Sequence, residues 1–119
     1  MNTDVYLNPK DAALIVIDMQ NDFCHEEGAF AKKGRNFRPF QAIVPNIAAL
    51  IDAARANKVP VFFVKMTLDE STVSDAWINK KGEWGNSICV KGSWGTELYQ
   101  LSPQPGDYIV EKHRYSAFI

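Results

Sequence analysis

Two short apolar runs, AALIVI at residues 12–17 and VPVFFV at 59–64, constrain this chain more than any other feature. A membrane-crossing helix needs about 20 apolar residues, so neither run can span a bilayer. Their length and β-branched content read instead as strands buried on both faces, as in a parallel sheet. Parallel strands need a crossover connection, and the segment between them has the period of one. From Gln41 to Asn57, residues Ile43, Ile47, Leu50, Ile51 and Ala54 recur at helical spacing and fall on one face. Pro45 fits the first turn of that helix, where its missing N–H costs little. Asn57 suits a left-handed C-terminal cap, and Pro60 must sit near the start of the second strand. Strand, helix and strand form a βαβ unit, right-handed by the usual rule.

A third strand, Tyr108 to Glu111, follows the turn sequence SPQPGD at 102–107. Between the second and third strands no stable period emerges, apart from a short helix around Ser74 to Lys80. This stretch carries Trp77, Trp84 and Trp94, which read as satellite core under a long loop or as walls of a small-molecule pocket. On composition alone the core reading is favoured. With 119 residues, 46% apolar and 23% charged, the chain fits one domain with an ordinary core. A net charge of −1 points to neither nucleic acid nor an anionic membrane as partner. The N-terminus lacks a basic and then apolar leader, so a cytoplasmic setting is expected. Cys24 and Cys89 stand in no CxxC or Cys/His cluster of the zinc-binding kind.

In an open parallel sheet, ligands bind beyond the carboxyl ends of the strands. The residues there are Asp18 after the first strand, Lys65 to Thr67 after the second and Lys112 after the third. Asp18 and Lys112 brought to one edge can form a buried salt bridge or part of a reactive site. Favouring a site, DMQNDF packs two carboxylates, two amides and an aromatic ring into six residues.

ALIVIDMQNDF, the helix VPNIAALIDAARANKVPV, the loop KGSWGTEL and the segment PQPGDYIVEKHRYSAF, in that order, resemble the isochorismatase-like cysteine hydrolases. The likeness is greatest to the branch of N-carbamoylsarcosine amidases, ureidoacrylate amidohydrolases and biuret hydrolases. It implies a doubly wound, Rossmann-like α/β fold, a parallel sheet with flanking helices. It also implies an Asp–Lys–Cys triad cleaving a C–N bond of a small amide or ureide. The aspartate maps onto Asp18, which takes a thiol proton and later returns one to the leaving amine. The lysine maps onto Lys112, a neighbouring cation that favours the thiolate. Phe23 resembles a substrate-lining aromatic, and Trp84, Trp94 and Tyr115 are further candidates for substrate binding.

The family's nucleophilic cysteine lies beyond the lysine strand, past Ile119. Residues 1–119 are therefore expected to form a single, incomplete domain, apparently truncated after the third strand and inactive alone. Cys89, in NSICV, precedes Lys112 and lacks a strand leading into it; Cys24 reads as a pocket or core residue. The nicotinamidase branch carries an Asp-x-His pair after the second strand, where this chain reads MTLDESTVSDAW. With His25 and His113 as its sole histidines, no metal and no cofactor are expected. The missing half is expected to leave an apolar edge and face uncovered, needing a homo-oligomer or a complementing chain. The alternative from another class is a non-catalytic pseudoenzyme, or a subunit that binds a partner chain or small ligand.

Overall fold

A computed structural model describes residues 8–79 and 88–118 of the chain. A 3-10 turn at Pro9–Asp11, capped by the Asn8 side chain, leads into strand β1, Leu14–Ile17. Three short helices follow, α1 (Asn21–Cys24), α2 (Ala29–Lys32) and α3 (Arg38–Ala42), then the long helix α4, Val44–Ala56. Strand β2 spans Val61–Met66 and β3 spans Tyr108–Lys112; between them, residues 75–79 are helical and Trp94–Thr96 form a 3-10 turn. The three strands are parallel in the order β1-β2-β3, with Val16 beside Phe63 and Met66 beside Lys112. The fold is α/β, a parallel sheet with flanking helices, as the sequence implies.

Helix α4 makes the first half cohere. Pro45 lies in its first turn, as expected. At its end Lys58 N–H bonds to Arg55 O and Val59 N–H to Ala54 O, the paired closure of a Schellman motif. The left-handed residue of that motif is Lys58, at φ 57°, one position after the expected Asn57. Asn57 instead donates its side-chain amide to Ala53 O at 2.8 Å. The buried stripe is also rotated: Val44, Ile51 and Ala54 are covered, whereas Ile43 and Leu50 are exposed. Shifting by less than one residue's turn places β-branched Val44 and small Ala48 against the sheet, and a close helix–sheet approach favours small groups.

On one sheet face, α4 packs with Val16, Val61 and Phe63, joined by Tyr99 and Leu101 from the chain approaching β3. An ion pair between Arg55 and Asp107 ties the end of α4 to the turn before β3. The opposite face carries Ile15, Ile17, Phe62 and Tyr108, of which Ile15, Ile17 and Tyr108 are about half exposed. The expectation that β1 is buried on both faces therefore holds for one face, since α4 covers that side alone.

Candidate functional site

The carboxyl edge of the sheet gathers the charged groups that the strand-end rule singles out. Asp18 N–H makes the last ladder bond of β1, to Val64 O at 2.9 Å. The chain then turns sharply, with Asp18 at φ 59°, a left-handed conformation that few residues other than glycine adopt easily. Lys112 ends β3, two strand spacings or about 10 Å away. Sharing a sheet face with Met66, its long side chain crosses the end of β2. Its Nζ comes within 3.1 Å of Asp18 Oδ2 and donates to Tyr115 O at 2.7 Å. The Lys112 side chain is 6% exposed and that of Asp18 34%. Asp18 Oδ1 is buried and accepts no hydrogen bond from the described residues.

The rest of DMQNDF builds the support beneath this pair. Gln20 is fully buried; its amide donates to Met66 O and Thr96 O and accepts from Met66 N–H at 2.7 Å. Asn21 donates to Trp94 O at 2.9 Å. The Asp22 carboxylate accepts from Ala29 N–H at 3.0 Å and from Cys89 N–H at 2.7 Å. Gly95 packs directly on that carboxylate, where any Cβ would collide with it. A single hexapeptide thus fastens β1, β2, α2 and the loop before β3 to one another.

A cavity of about 140 Å³ opens beside Asp18, lined also by Phe23, Phe30, Met66, Trp77, Ile88 and Tyr115. Phe23 and Phe30 meet edge to face at 5.1 Å, and Trp77 and Tyr115 lie 5.3 Å apart. A wider, open groove of about 700 Å³ runs past Lys112, between residues 71–75 and 111–117, without reaching Asp18.

Of the sequence candidates, Asp18, Lys112, Phe23 and Tyr115 come together here. Trp94 does not: 45% exposed, it packs its ring on His25 at 4.8 Å, above a separate pocket with Glu26, Glu27 and Lys32. The cause is the pinning of its turn, whose backbone faces inward to Gln20, Asn21 and Asp22 and leaves the indole outside. Trp84 lies outside the described residues. Sequence reasoning missed Phe30 and Ile88, which carry no local signal; Met66 lay within the strand-end stretch Lys65 to Thr67, and Trp77 had its place on a short helix within the Trp-bearing stretch.

Both cysteines are fully buried and free of disulfide. Burial pushes the Cys24 thiol up to about 11. Cys89 is raised further, first by burial and then by the carboxylates of Asp22 and Asp18. Neither sits in an environment that produces a thiolate at neutral pH. His25 accepts from Glu27 N–H, and His113 Nδ1 lies 2.7 Å from Thr67 O, so that nitrogen carries the proton. Among the described residues no cluster of three or more His, Cys, Asp or Glu side chains gathers in a metal-binding arrangement. Nor is any described helix long and apolar enough to cross a membrane.

Comparison with known proteins places this geometry. The isochorismatase domain matches residues 12–119. The ureidoacrylate amidohydrolase RutB of Agrobacterium fabrum is 32% identical over 96% of this chain and 57% of its own length. A cysteine hydrolase from Pseudomonas syringae pv. phaseolicola superposes with a TM-score of 0.74 at 29% identity, over 94% of this chain and 51% of the other. Nicotinamidase PncA from Bacillus subtilis gives 0.69 at 31% identity, over 90% and 58%. The chain thus spans little more than half the length of these relatives. Matched from β1 through the segment after β3, in sequence and in fold, the chain belongs to the isochorismatase family.

Proposed function

We propose that Asp18 and Lys112 are two members of the catalytic triad of a hydrolase that cleaves a C–N bond in a small amide or ureide. The third member, a cysteine thiol, is supplied by polypeptide outside these 119 residues, either further sequence of the same protein or a complementing chain. The observation that carries this proposal is the divided carboxylate of Asp18. Oδ2 is held by Lys112, while Oδ1 is buried without a hydrogen-bond donor among the described residues. A buried acceptor of that kind is costly, and a reaction that delivers a proton to it would account for its retention. The names of the relatives, which include ureidoacrylate amidohydrolases and a nicotinamidase, support the reaction class.

The chemistry balances with these groups. A thiol S–H gives its proton to Asp18, and the sulfur attacks the carbonyl carbon of the substrate. Asp18 then protonates the leaving nitrogen as the C–N bond breaks, leaving a thioester. Water attacks that thioester with Asp18 again as base, and the sulfur recovers its proton as the acid or carbamate departs. Lys112, fixed between Asp18 and Tyr115 O, offsets the negative charge near the reacting sulfur. Phe23 and Tyr115, with Trp77, wall the substrate from water.

The test is ammonia release from ureidoacrylate and simple amides by the protein translated from its complete reading frame. Asp18→Asn and Lys112→Met should each lower kcat by about 10³-fold, the scale of a positioned acid–base group. Retention of more than a third of wild-type turnover in Asp18→Asn would remove Asp18 from the mechanism. Turnover by the 119-residue chain alone that disappears on Cys89→Ser would instead place the nucleophile at Cys89.

A further inference from the structure

The lysine of the proposed triad is held from a segment with no regular structure. Strand β3 ends at Lys112, and residues 113–118 belong to no helix or strand. Lys112 Nζ donates to Tyr115 O at 2.7 Å, inside that segment, while it stands 3.1 Å from Asp18 Oδ2. The place of the ammonium at Asp18 therefore depends on where an irregular stretch of backbone puts one carbonyl. Backbone outside a ladder opens locally at small cost unless other contacts fix it.

Two consecutive side chains supply that fixing, and both reach the stretch that follows β2. His113 donates from Nδ1 to Thr67 O at 2.7 Å. Thr67 N–H in turn donates to Lys112 O at 2.9 Å, so Thr67 is tied to β3 by backbone on one side of its peptide and by imidazole on the other. Arg114 Nη1 carries two hydrogens and uses them on two carbonyls, Thr72 O and His113 O. The Thr72 anchor is itself held: its N–H bonds to Asp69 O at 3.0 Å, and its hydroxyl accepts from Asp69 N–H at 3.1 Å. Arg114 thus crosses from one wall of the groove of about 700 Å³ to the other. With Nη1 spent on backbone carbonyls, this cation is placed as a strut between the walls.

Resting on the hydrolase proposal above, we infer that His113 and Arg114 are positioning residues for Lys112. They fasten the segment after β3 to residues 67–72, and so set the Tyr115 carbonyl where it and Asp18 share one ammonium. Neither residue lines the cavity beside Asp18, so their effect on the chemistry passes through Lys112. Misplacing a reacting group by about 1 Å can cost about 10²-fold in rate, which makes such struts matter to turnover as well as to folding.

The test uses the protein translated from its complete reading frame, with ureidoacrylate as substrate. Lys112 is followed by the 1H–15N cross-peak of its ammonium, assigned by the loss of that peak in Lys112→Met. A buried ammonium held by two acceptors exchanges slowly enough to be seen. Arg114→Met and His113→Leu should each displace the peak and lower kcat by about tenfold or more, with KM within about threefold. His113→Asn, whose amide nitrogen can donate from near the Nδ1 position, should return the peak and bring kcat to within about threefold of wild type. An unmoved peak and unchanged kcat in folded Arg114→Met would overturn the inference, as would absence of the Lys112 peak from the wild-type protein. If Arg114→Met does not fold, the His113 variants decide: equal kcat and peak position in His113→Leu and His113→Asn would overturn it. A peak displaced as expected in a protein that hydrolyses no amide would sink the hydrolase proposal alone. Wild-type turnover with an unmoved peak in both Arg114→Met and His113→Leu would sink this inference alone.

Discussion

Around β1 the two faces of the sheet have nearly the same composition and different fates, although farther along the second face Val64 and Met66 are buried. Leu14, Val16, Val61 and Phe63 point toward α4 and form the core, with Phe63 at 0% exposure. Ile15, Ile17, Phe62 and Tyr108 point the other way; Ile17 is 54% exposed, and Phe62 stacks on Tyr108 at 4.6 Å. Both strands read in sequence as continuous apolar runs, because parallel sheets ordinarily carry helices on both sides. A strand's composition therefore records what its face is suited to meet, and the partner must be read from elsewhere. Exposed apolar surface of this kind is typical of interaction sites.

The largest consequence is in stability. Phe63→Ala should cost about 3–5 kcal/mol in denaturant unfolding, as for other large core truncations. Ile17→Ala should cost about 0.5 kcal/mol or less, as at an exposed site. Comparable costs at the two positions would mean that the second face is covered in solution. Next in size is association: replacing Ile15 and Ile17 together by threonine keeps the strand propensity and removes apolar surface. The double variant of the 119-residue chain should sediment as a smaller species than the parent. An identical distribution for the two would show that this face does not drive self-association.

The smallest effect lies on the α4 side. The hydrogen bond from Arg55 holds the Asp107 carboxyl below the usual carboxylate range. A lowered native value means that the folded state binds fewer protons than the unfolded one near that range. The pair's stabilisation is thus present above about pH 4 and lost as pH falls through the native value. Asp107→Asn should flatten that part of the pH–stability profile and leave the profile above pH 5 unchanged. A profile with the same acid slope in the variant would place the titrating group elsewhere.

The sequence was most legible where one segment met one physical requirement. The βαβ unit followed from apolar runs and a helical period, and Asp18 and Lys112 followed from their places at strand ends. Phe23 and Tyr115 came through family resemblance. The phase of α4 was misread because Leu50 and Val44 are both apolar and only packing decides which one turns inward. Gln20 and Asp22 looked like candidate chemistry, yet they hold backbone N–H and C=O groups in distant loops. Phe30, Met66 and Ile88 meet at the cavity across long stretches of chain, a convergence that no local period encodes. Trp94 drew attention by its type, and its side chain went outward because its backbone was needed within.

The left-handed backbone at Asp18 has a consequence for which residues can occupy the position at all. Side chains that tolerate such a conformation cheaply are few: glycine, asparagine and aspartate. Glycine offers no side chain and asparagine cannot take up a proton, so under the proposed chemistry aspartate is the one of these three that satisfies both. Glutamate, the usual conservative replacement for a catalytic acid, would keep the charge and strain the turn. The tolerance of this position to substitution is therefore set as much by the angle at which β1 ends as by the reaction proposed beyond it.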